Sequence, residues 1–171
     1  MKIVILNGSH RLNGNCYRFA KTAYKQLGER HQVILFNLIE QKIKPCNGCL
    51  NCEEGMECDI QDDYSKIIMP ALMASDLIVF ASPTYFNMPS AAMVNLLDRT
   101  NNLCEYFADN PKKALIYLVG QTDEDTIMDA YKCVKTYLEI MGMEEALAPI
   151  IKVIRMPEQV DSDVLDILKN I

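Results

Sequence analysis

Two stretches of this chain carry residues whose types and spacing suit chemistry. The first is Asn7-Gly8-Ser9-His10-Arg11-Leu12-Asn13-Gly14-Asn15-Cys16. Its two glycines let the backbone come close to a ligand. Ser9, Asn13 and Asn15 offer neutral hydrogen bonds, and Arg11 offers a charged fork. His10 suits either an anion or open solvent. A P-loop would need Gly-Lys-Ser/Thr where this chain has Gly14-Asn15-Cys16, so a triphosphate lacks its lysine. A dinucleotide loop would need Gly-x-Gly-x-x-Gly and an acid closing the second strand, where the run Val33–Phe36 ends in Asn37. One terminal monophosphate is the ligand left; the same pattern also serves as an ordinary strand-to-helix turn.

The second stretch is Cys46-Asn47-Gly48-Cys49-Leu50-Asn51-Cys52 followed by Cys58, a C-x2-C-x2-C-x5-C spacing. Thiols repeating every third residue wrap around one corner of a small inorganic cube, and the fourth closes it after a loop. Thiolates are the usual ligands of iron–sulfur clusters. Zinc also takes four cysteines, but its knuckles usually come as two separated pairs. The single run favours a cluster; zinc and free or reversibly oxidised thiols are the other readings. Glu53, Glu54, Glu57 and Asp59 flank the thiols. They either lower a cluster's potential or form a solvated face. Cys104 and Cys133 stand apart and read as buried thiols. No catalytic triad or paired carboxylates can be gathered into one pocket from the pattern alone.

The elements that position these stretches alternate between strand and helix. Lys2–Asn7 reads as a first strand. Cys16, Phe19, Ala20, Ala23, Tyr24 and Leu27 then recur with helical period until Gly28 stops it. The loop between them brings together free N–H groups and the positive end of a helix dipole, where an anion sits. Gln32–Asn37 is a second strand. The segment 39–62, which holds the cysteines, has no periodicity, and structureless loops that long are usually functional or tethered. Asp63–Ala74 reads as helix, kinked or split by Pro70. Leu77–Ala81, Ala114–Val119 and Leu147–Val153 are further strands, the last broken or bent at Pro149. Helices are expected at Ser90–Asn101 with Ser90 as N-cap, at Thr126–Met141 ended by Gly142, and at Asp161–Ile171. Thr122 and Asp125 read as a capping box.

Short continuous apolar strands alternating with helices mean a parallel sheet covered on both faces. The expected fold class is α/β, a three-layer flavodoxin-like sandwich with five parallel strands in the order 2-1-3-4-5. Ligands of such sheets bind beyond the carboxyl ends of the strands, between strands one and three. The loops there are 8–15, 82–88 and 120–125. With 171 residues, 50% apolar and 23% charged, the chain suits one domain over 1–171 with a cysteine-rich insertion at about 39–62. A net charge of −6 argues against a nucleic-acid partner. No apolar run suits a secretory signal or membrane span, so a cytoplasmic protein is expected.

The loop Gly8–Asn15 resembles the FMN-phosphate loop of the NAD(P)H-dependent FMN reductase branch of flavodoxin-like flavoproteins. Ser82-Pro83-Thr84-Tyr85-Phe86-Asn87 resembles that family's Pro-x-Tyr loop, and Asp98-Arg99-Thr100 its Asp-Arg helix end. Pro45-Cys46-x-Gly48-Cys49 and the spacing after it resemble the related iron–sulfur flavoproteins. The resemblance implies FMN as cofactor, with its phosphate on Ser9, His10, Arg11, Asn13, Gly14, Asn15 and the backbone N–H of Cys16, where the family usually has Thr or Ser. It implies an isoalloxazine ring on Pro83, Thr84, Tyr85, Phe86 and Asn87, its polar edge within reach of Gly120 and Gln121. NAD(P)H would be co-substrate, and a 4Fe–4S cluster would sit on Cys46, Cys49, Cys52 and Cys58. A lysine common in the family's third helix is Val94 here, so its role does not carry over. Reduced flavin would pass electrons to a small molecule or redox protein, and no side chain need act as acid or base. The rival reading is a non-enzymatic electron carrier between protein partners. The helix Ser90–Asn101 has almost no polar face, so its outer side packs on a second subunit, in a homodimer or homotetramer, or under this chain's own loops.

Overall fold

The computed structural model describes every residue of the chain except 54, 56, 155–161 and 170. Strand β1 (Lys2–Asn7) is buried from its second residue onward. It pairs in parallel with β2 (Gln32–Asn37) on one side and β3 (Leu77–Tyr85) on the other. On its far side β3 pairs in parallel with β5 (Lys113–Gly120). Beyond β5 the edge is shared by two short strands, β6 (Glu144–Glu145) and β7 (Ile150–Val153). The order is therefore the expected flavodoxin-like one, with its fifth position divided. Pro149 cannot donate to a ladder, and after Ala146, whose N–H still donates to Ala114 O, the stretch 147–149 leaves the sheet between the two pieces.

Two further departures bear on the site. Strand β3 does not stop at Ala81 but continues to Tyr85, paired with β5 as far as Pro83↔Val119. It then turns back through β4 (Met88–Pro89), an antiparallel hairpin that raises the sheet to seven strands. Ser-Pro-Thr-Tyr has loop composition, so this extension carries no apolar signature.

Helices α1 (Asn15–Leu27) and α6 (Ser162–Lys169) cover one face of the sheet. On it Ile3, Ile5, Phe19, Ala23, Leu27, Leu77, Val79, Leu115, Tyr117 and Leu168 are buried together. Phe19 stacks on Tyr117 with ring centroids 3.9 Å apart, locking α1 onto β5. The opposite face is covered by α2 (Met69–Ala74), α3 (Ala91–Arg99), α4 (Cys104–Asp109) and α5 (Glu124–Ile140). Its core contains Val4, Leu6, Ile68, Leu72, Ile78, Phe80, Leu96, Phe107, Ile116, Val134 and Leu138. Each such side chain contributes about 1.5–3 kcal/mol by leaving water.

The helix expected over Asp63–Ala74 begins with a π-helical turn, Tyr64–Ile68, and only then becomes α-helical. Pro70 falls in the first turn of α2, where its missing N–H costs least. Helix α5 starts two residues before the expected Thr126, and its N-cap is Asp123, not Thr122. The Asp123 carboxylate accepts the Thr126 N–H at 2.9 Å, while the Thr122 hydroxyl contacts that of Thr126 instead. Gly142 ends α5 at φ +65°, a left-handed stop that Gly adopts without strain. Cys133 is exposed, contrary to expectation: the stripe that α5 buries runs through Ala130, Tyr131 and Val134 and leaves 133 outside. Cys104 is half-buried. The expected start of the last helix, Asp161, and the flanking acid Glu54 lie outside the described residues.

Candidate functional site

The loop after β1 is shaped by its own polar side chains. Asn7, fully buried at the strand end, accepts the Ser9 N–H on its Oδ1 at 3.1 Å and donates from Nδ2 to Asn37 Oδ1 at 3.0 Å. The Ser9 hydroxyl accepts the Arg11 N–H and donates to the Arg11 carbonyl, both at 3.1 Å. The loop then rises to Gly14, the N-cap of α1, which has no side-chain cap and no acid in its first turn. The first N–H groups of a helix have no acceptor inside it. An uncapped, acid-free start is therefore a place where an anion can supply one. A Cβ at Gly14 would lie 3.2–3.4 Å from Arg11 and Ser9, so the glycine keeps this cradle open.

The loop is also welded to the start of α3. Gly8 donates its N–H to Ala81 O at 2.8 Å. The Ser90 hydroxyl donates to Gly8 O at 2.7 Å and accepts the Met93 N–H at 3.3 Å, while Ser90 N–H donates to Ser82 Oγ at 2.9 Å. Ser82 and Ser90 thus tie the anion loop to the hairpin that follows β3. Only the capping half of this was visible in the residue pattern.

That hairpin turns on Phe86 and Asn87, both left-handed at φ +50° and +59°. Positive φ at both central residues matches the twist of a tight hairpin. Phe86 is 99% exposed, so an aromatic ring stands at the tip of a strained turn, uncovered by the described residues. Asn87 Nδ2 donates to Asp129 of α5 at 3.1 Å, which fastens the hairpin sideways. Gly120, at the end of β5, lets Thr84 and α5 come together: a Cβ there would sit 2.7 Å from Thr84 Oγ1 and 2.8 Å from Ile127.

These loops enclose a cleft of ≈ 630 Å³ beyond the carboxyl ends of β1, β3 and β5. It is lined by Ser9, Arg11, Asn13, Gly14, Asn15 and Cys16, by Pro83, Thr84, Tyr85, Phe86 and Asn87, and by Gly120 and Gln121. His10 alone of the expected set stays outside, exposed to solvent. Val119, Thr122, Thr126 and Ile154 complete the wall; of these only Thr122, in the 120–125 loop, lay in a segment that the sequence placed at the ligand end of the sheet. The cleft is polar at the loop end and aromatic at the hairpin end, and its size is that of a small-molecule site. Burial pushes the Cys16 thiol well above its ordinary range, so it stays protonated.

The four clustered cysteines lie in a segment without regular structure apart from short 3-10 turns at Leu38–Glu40 and Asn51–Glu53. Cys46 and Cys49 are exposed; Cys52 and Cys58 are half-buried. Their donor chemistry suits iron–sulfur or zinc, but among the described residues no three His, Cys, Asp or Glu side chains stand close enough to hold a metal ion. The thiols are on one loop and not gathered into one ligand set.

The feet of the loop are fixed. Lys42 and Lys44 donate backbone N–H groups to Asp63 and Asp62 at 2.7 and 2.8 Å. Arg99, at the end of α3, is buried against Asp62 at 2.7 Å. Burial alone would push the Asp62 carboxyl up; hydrogen bonds from Arg99 and Lys44 and the Arg99 charge outweigh it and hold it below the usual carboxylate range.

The outer side of α3 is not closed by the described residues. Val94 and Leu97 stay half-exposed in an apolar groove of ≈ 640 Å³, lined also by Met88, Pro89, Cys46, Cys104, Cys133, Tyr137 and Ile140. No helix among the described residues is long and apolar enough to cross a membrane.

A sequence model of NADPH-dependent FMN reductases matches residues 1–148. An iron–sulfur flavoprotein of Methanocaldococcus jannaschii is 32% identical over 104 residues, 60% of this chain and 53% of that protein. The chain spans about half the length of the curated relatives it matches. Among solved structures, an NADH:FMN oxidoreductase in its apo form superposes with a TM-score of 0.68 at 18% identity, covering 98% of this chain and 84% of that one. A flavodoxin from the domain Archaea superposes with a TM-score of 0.63 at 13% identity, over 99% and 92% of the two chains. At those identities the structural likeness establishes the fold.

Proposed function

The chain belongs to the family of NADPH-dependent FMN reductases, and we propose that it is an oxidoreductase moving electrons from NAD(P)H through FMN to an acceptor. One observation carries this reading: the anion loop, the aromatic hairpin and the Gly120 turn converge on a single cleft beyond the strand ends. FMN supplies the hydride and electron chemistry when bound, and the protein supplies binding and orientation. The N-terminus of α1, with Ser9, Arg11, Asn13 and Asn15 around it, would hold the terminal phosphate. Pro83, Thr84, Tyr85, Phe86 and Asn87 would support the ring, and Gly120 and Gln121 would meet its polar edge.

The four thiols form a second part of the proposal. Cys46, Cys49, Cys52 and Cys58 would hold a 4Fe–4S cluster, which supplies single-electron transfer. The donor set supports this chemically; their side chains would have to turn inward to meet one cluster. Seven unpaired cysteines support a cytoplasmic setting. The half-exposed Val94 and Leu97, continuous with exposed Met88 and Ile140, support a second copy of this chain packing on α3 in a homodimer or larger homo-oligomer.

Titration of the apo protein with FMN and with riboflavin tests the cleft. FMN should bind far more tightly, because riboflavin lacks the phosphate; equal affinities refute the loop assignment. FMN-loaded protein should then be bleached anaerobically by NADH or NADPH. If neither reduces it while a reduced electron-transfer protein does, the chain is a carrier and not a reductase.

A further inference from the structure

The guanidinium of Arg99 does not line the cleft, yet its two terminal nitrogens meet five different residues. Its Nη1 donates to Lys44 O at 2.8 Å and to Asp62 Oδ2 at 2.7 Å. The two N–H groups of its Nη2 are shared among four acceptors, Ile60 O at 3.1 Å and Cys58 Sγ, Asp62 Oδ1 and Ser65 Oγ at 3.3 Å each. Its plane lies over the Tyr64 ring, 4.7 Å from the centroid. Lys44 precedes the first clustered cysteine by two positions, and Cys58 is the last of them. One side chain therefore joins the outgoing and returning arms of the thiol loop and touches one of its sulfurs.

Nothing in the packing of the sheet requires a charge at this place. A buried ion pair is no better for stability than well-packed apolar groups of the same volume. What the planar fork offers is several fixed donors at once. Here they go to loop groups, to Ser65 and to Asp62, which itself holds the Lys44 N–H. Asn95 of the same helix adds a bond from Nδ2 to Ile43 O at 3.0 Å. Neighbouring Asn101 points Nδ2 at Cys52 Sγ, 3.5 Å away. The end of α3 and the turn that follows it thus present N–H donors to two of the four sulfurs.

We propose that Arg99 is a positioning residue for the thiol segment: with Asp62 it clamps the two arms of the loop together and directs an N–H at Cys58 Sγ, holding fixed the two ends between which the four thiols would turn inward onto a metal. The metal arm rests on the reading of these cysteines as ligands given above; the clamp does not. Groups that hydrogen-bond to ligands orient them and change metal affinity by about 10–100-fold.

The full-length chain decides this with three variants. Arg99→Lys keeps the charge and loses the fork. Arg99→Gln loses both. Arg99→Met combined with Asp62→Leu removes the buried pair together, so that no lone charge is left to unfold the protein. Amide exchange by mass spectrometry reads the loop, and anaerobic titration of the reduced protein with Co²⁺, followed by thiolate charge-transfer absorbance, reads the ligand set. In each variant, exchange over 42–62 should quicken while 3–7 and 77–81 stay protected. Co²⁺ affinity should fall about tenfold or more, with a shifted charge-transfer band and with Lys falling less than Gln. FMN affinity should not change. Unchanged exchange over 42–62 overturns the clamp, and Co²⁺ affinity within twofold of wild type overturns the role toward the sulfurs. If the wild-type protein takes no Co²⁺, the ligand reading falls and with it the metal arm, while exchange still decides the clamp.

Discussion

The contact between Gly8 and Ser90 makes a prediction that depends on geometry alone. A Cβ placed on Gly8 would lie 2.7 Å from Ser90 Oγ and 3.1 Å from Met93 Cβ. The hydroxyl cannot swing aside freely, because it holds Gly8 O and caps Met93 N–H. Gly8 is not in the left-handed region, so alanine suffers no backbone strain there. Gly8→Ala should therefore cost about 1–3 kcal/mol through overpacking. Ser90→Ala loses a helix cap, about 1 kcal/mol, and leaves the Gly8 carbonyl without its donor, about 1–3 kcal/mol more. In the double variant the 2.7 Å collision is gone and the nearest remaining atom is Met93 Cβ at 3.1 Å. The double variant should then be less unstable than the sum of the singles by about 1–2 kcal/mol, within the range of contacting pairs. Urea unfolding of the apo chain, at one protein concentration for all four proteins, measures the cycle. Additivity within about 0.5 kcal/mol, the behaviour of distant sites, would refute the reasoning. FMN affinity should fall in Gly8→Ala and recover in part in the double variant, since the carbonyl that moves belongs to the anion loop.

Other consequences can be checked as directly. Val94→Glu should give monomers in sedimentation, because the α3 groove would then bury an unpaired charge; a monomeric wild-type chain at micromolar concentration contradicts the oligomer. Cys49→Ser should lose iron and acid-labile sulfide after anaerobic reconstitution yet keep FMN, and wild-type protein holding neither element above trace ends the cluster reading. The buried Cys16 thiol is raised in the folded state by desolvation, so its share of stability is full below the ordinary thiol value of about 8.5 and is lost as pH climbs beyond it. Cys16→Ala should flatten that alkaline loss, and a wild-type curve with the same slope shows the thiol has no part in it. Phe86→Asn, at a fully exposed site with φ +50°, should raise apo stability by up to about 1 kcal/mol while weakening FMN; a stability loss on urea unfolding would mean the ring packs somewhere in the free chain.

Much of the frame was legible because its signals are local. Ile3–Leu6 and Leu77–Ala81 are apolar without interruption, which only a doubly covered strand needs, and Ile127, Ala130, Tyr131, Val134 and Leu138 recur with helical period and are all buried. The anion loop stood out because its glycines separate a strand from a helix. What could not be read depends on partners distant in sequence. Ser90 meets Gly8 across 82 positions and Arg99 meets Asp62 across 37, and neither pairing has a local pattern. The extension of β3 to Tyr85 is held by its register with β5, not by its own composition. The shift of the α5 cap from Thr122 to Asp123 is a one-residue ambiguity between two good cap formers, resolved by which one faces Thr126 N–H.

The clamp at the feet of the thiol loop also bears on how this segment can change by descent. Lys44 and Asp62 are neighbours in space whatever lies between them. Among the described residues, none from 45 to 61 belongs to the sheet or lines the cleft. Doubling the length of such a closed loop costs only about 0.6 kcal/mol in chain entropy. Sequences built on this scaffold can therefore lengthen, shorten or respace the interval between two anchored ends, gaining or losing cysteines, while the cleft beyond the strand ends keeps its walls.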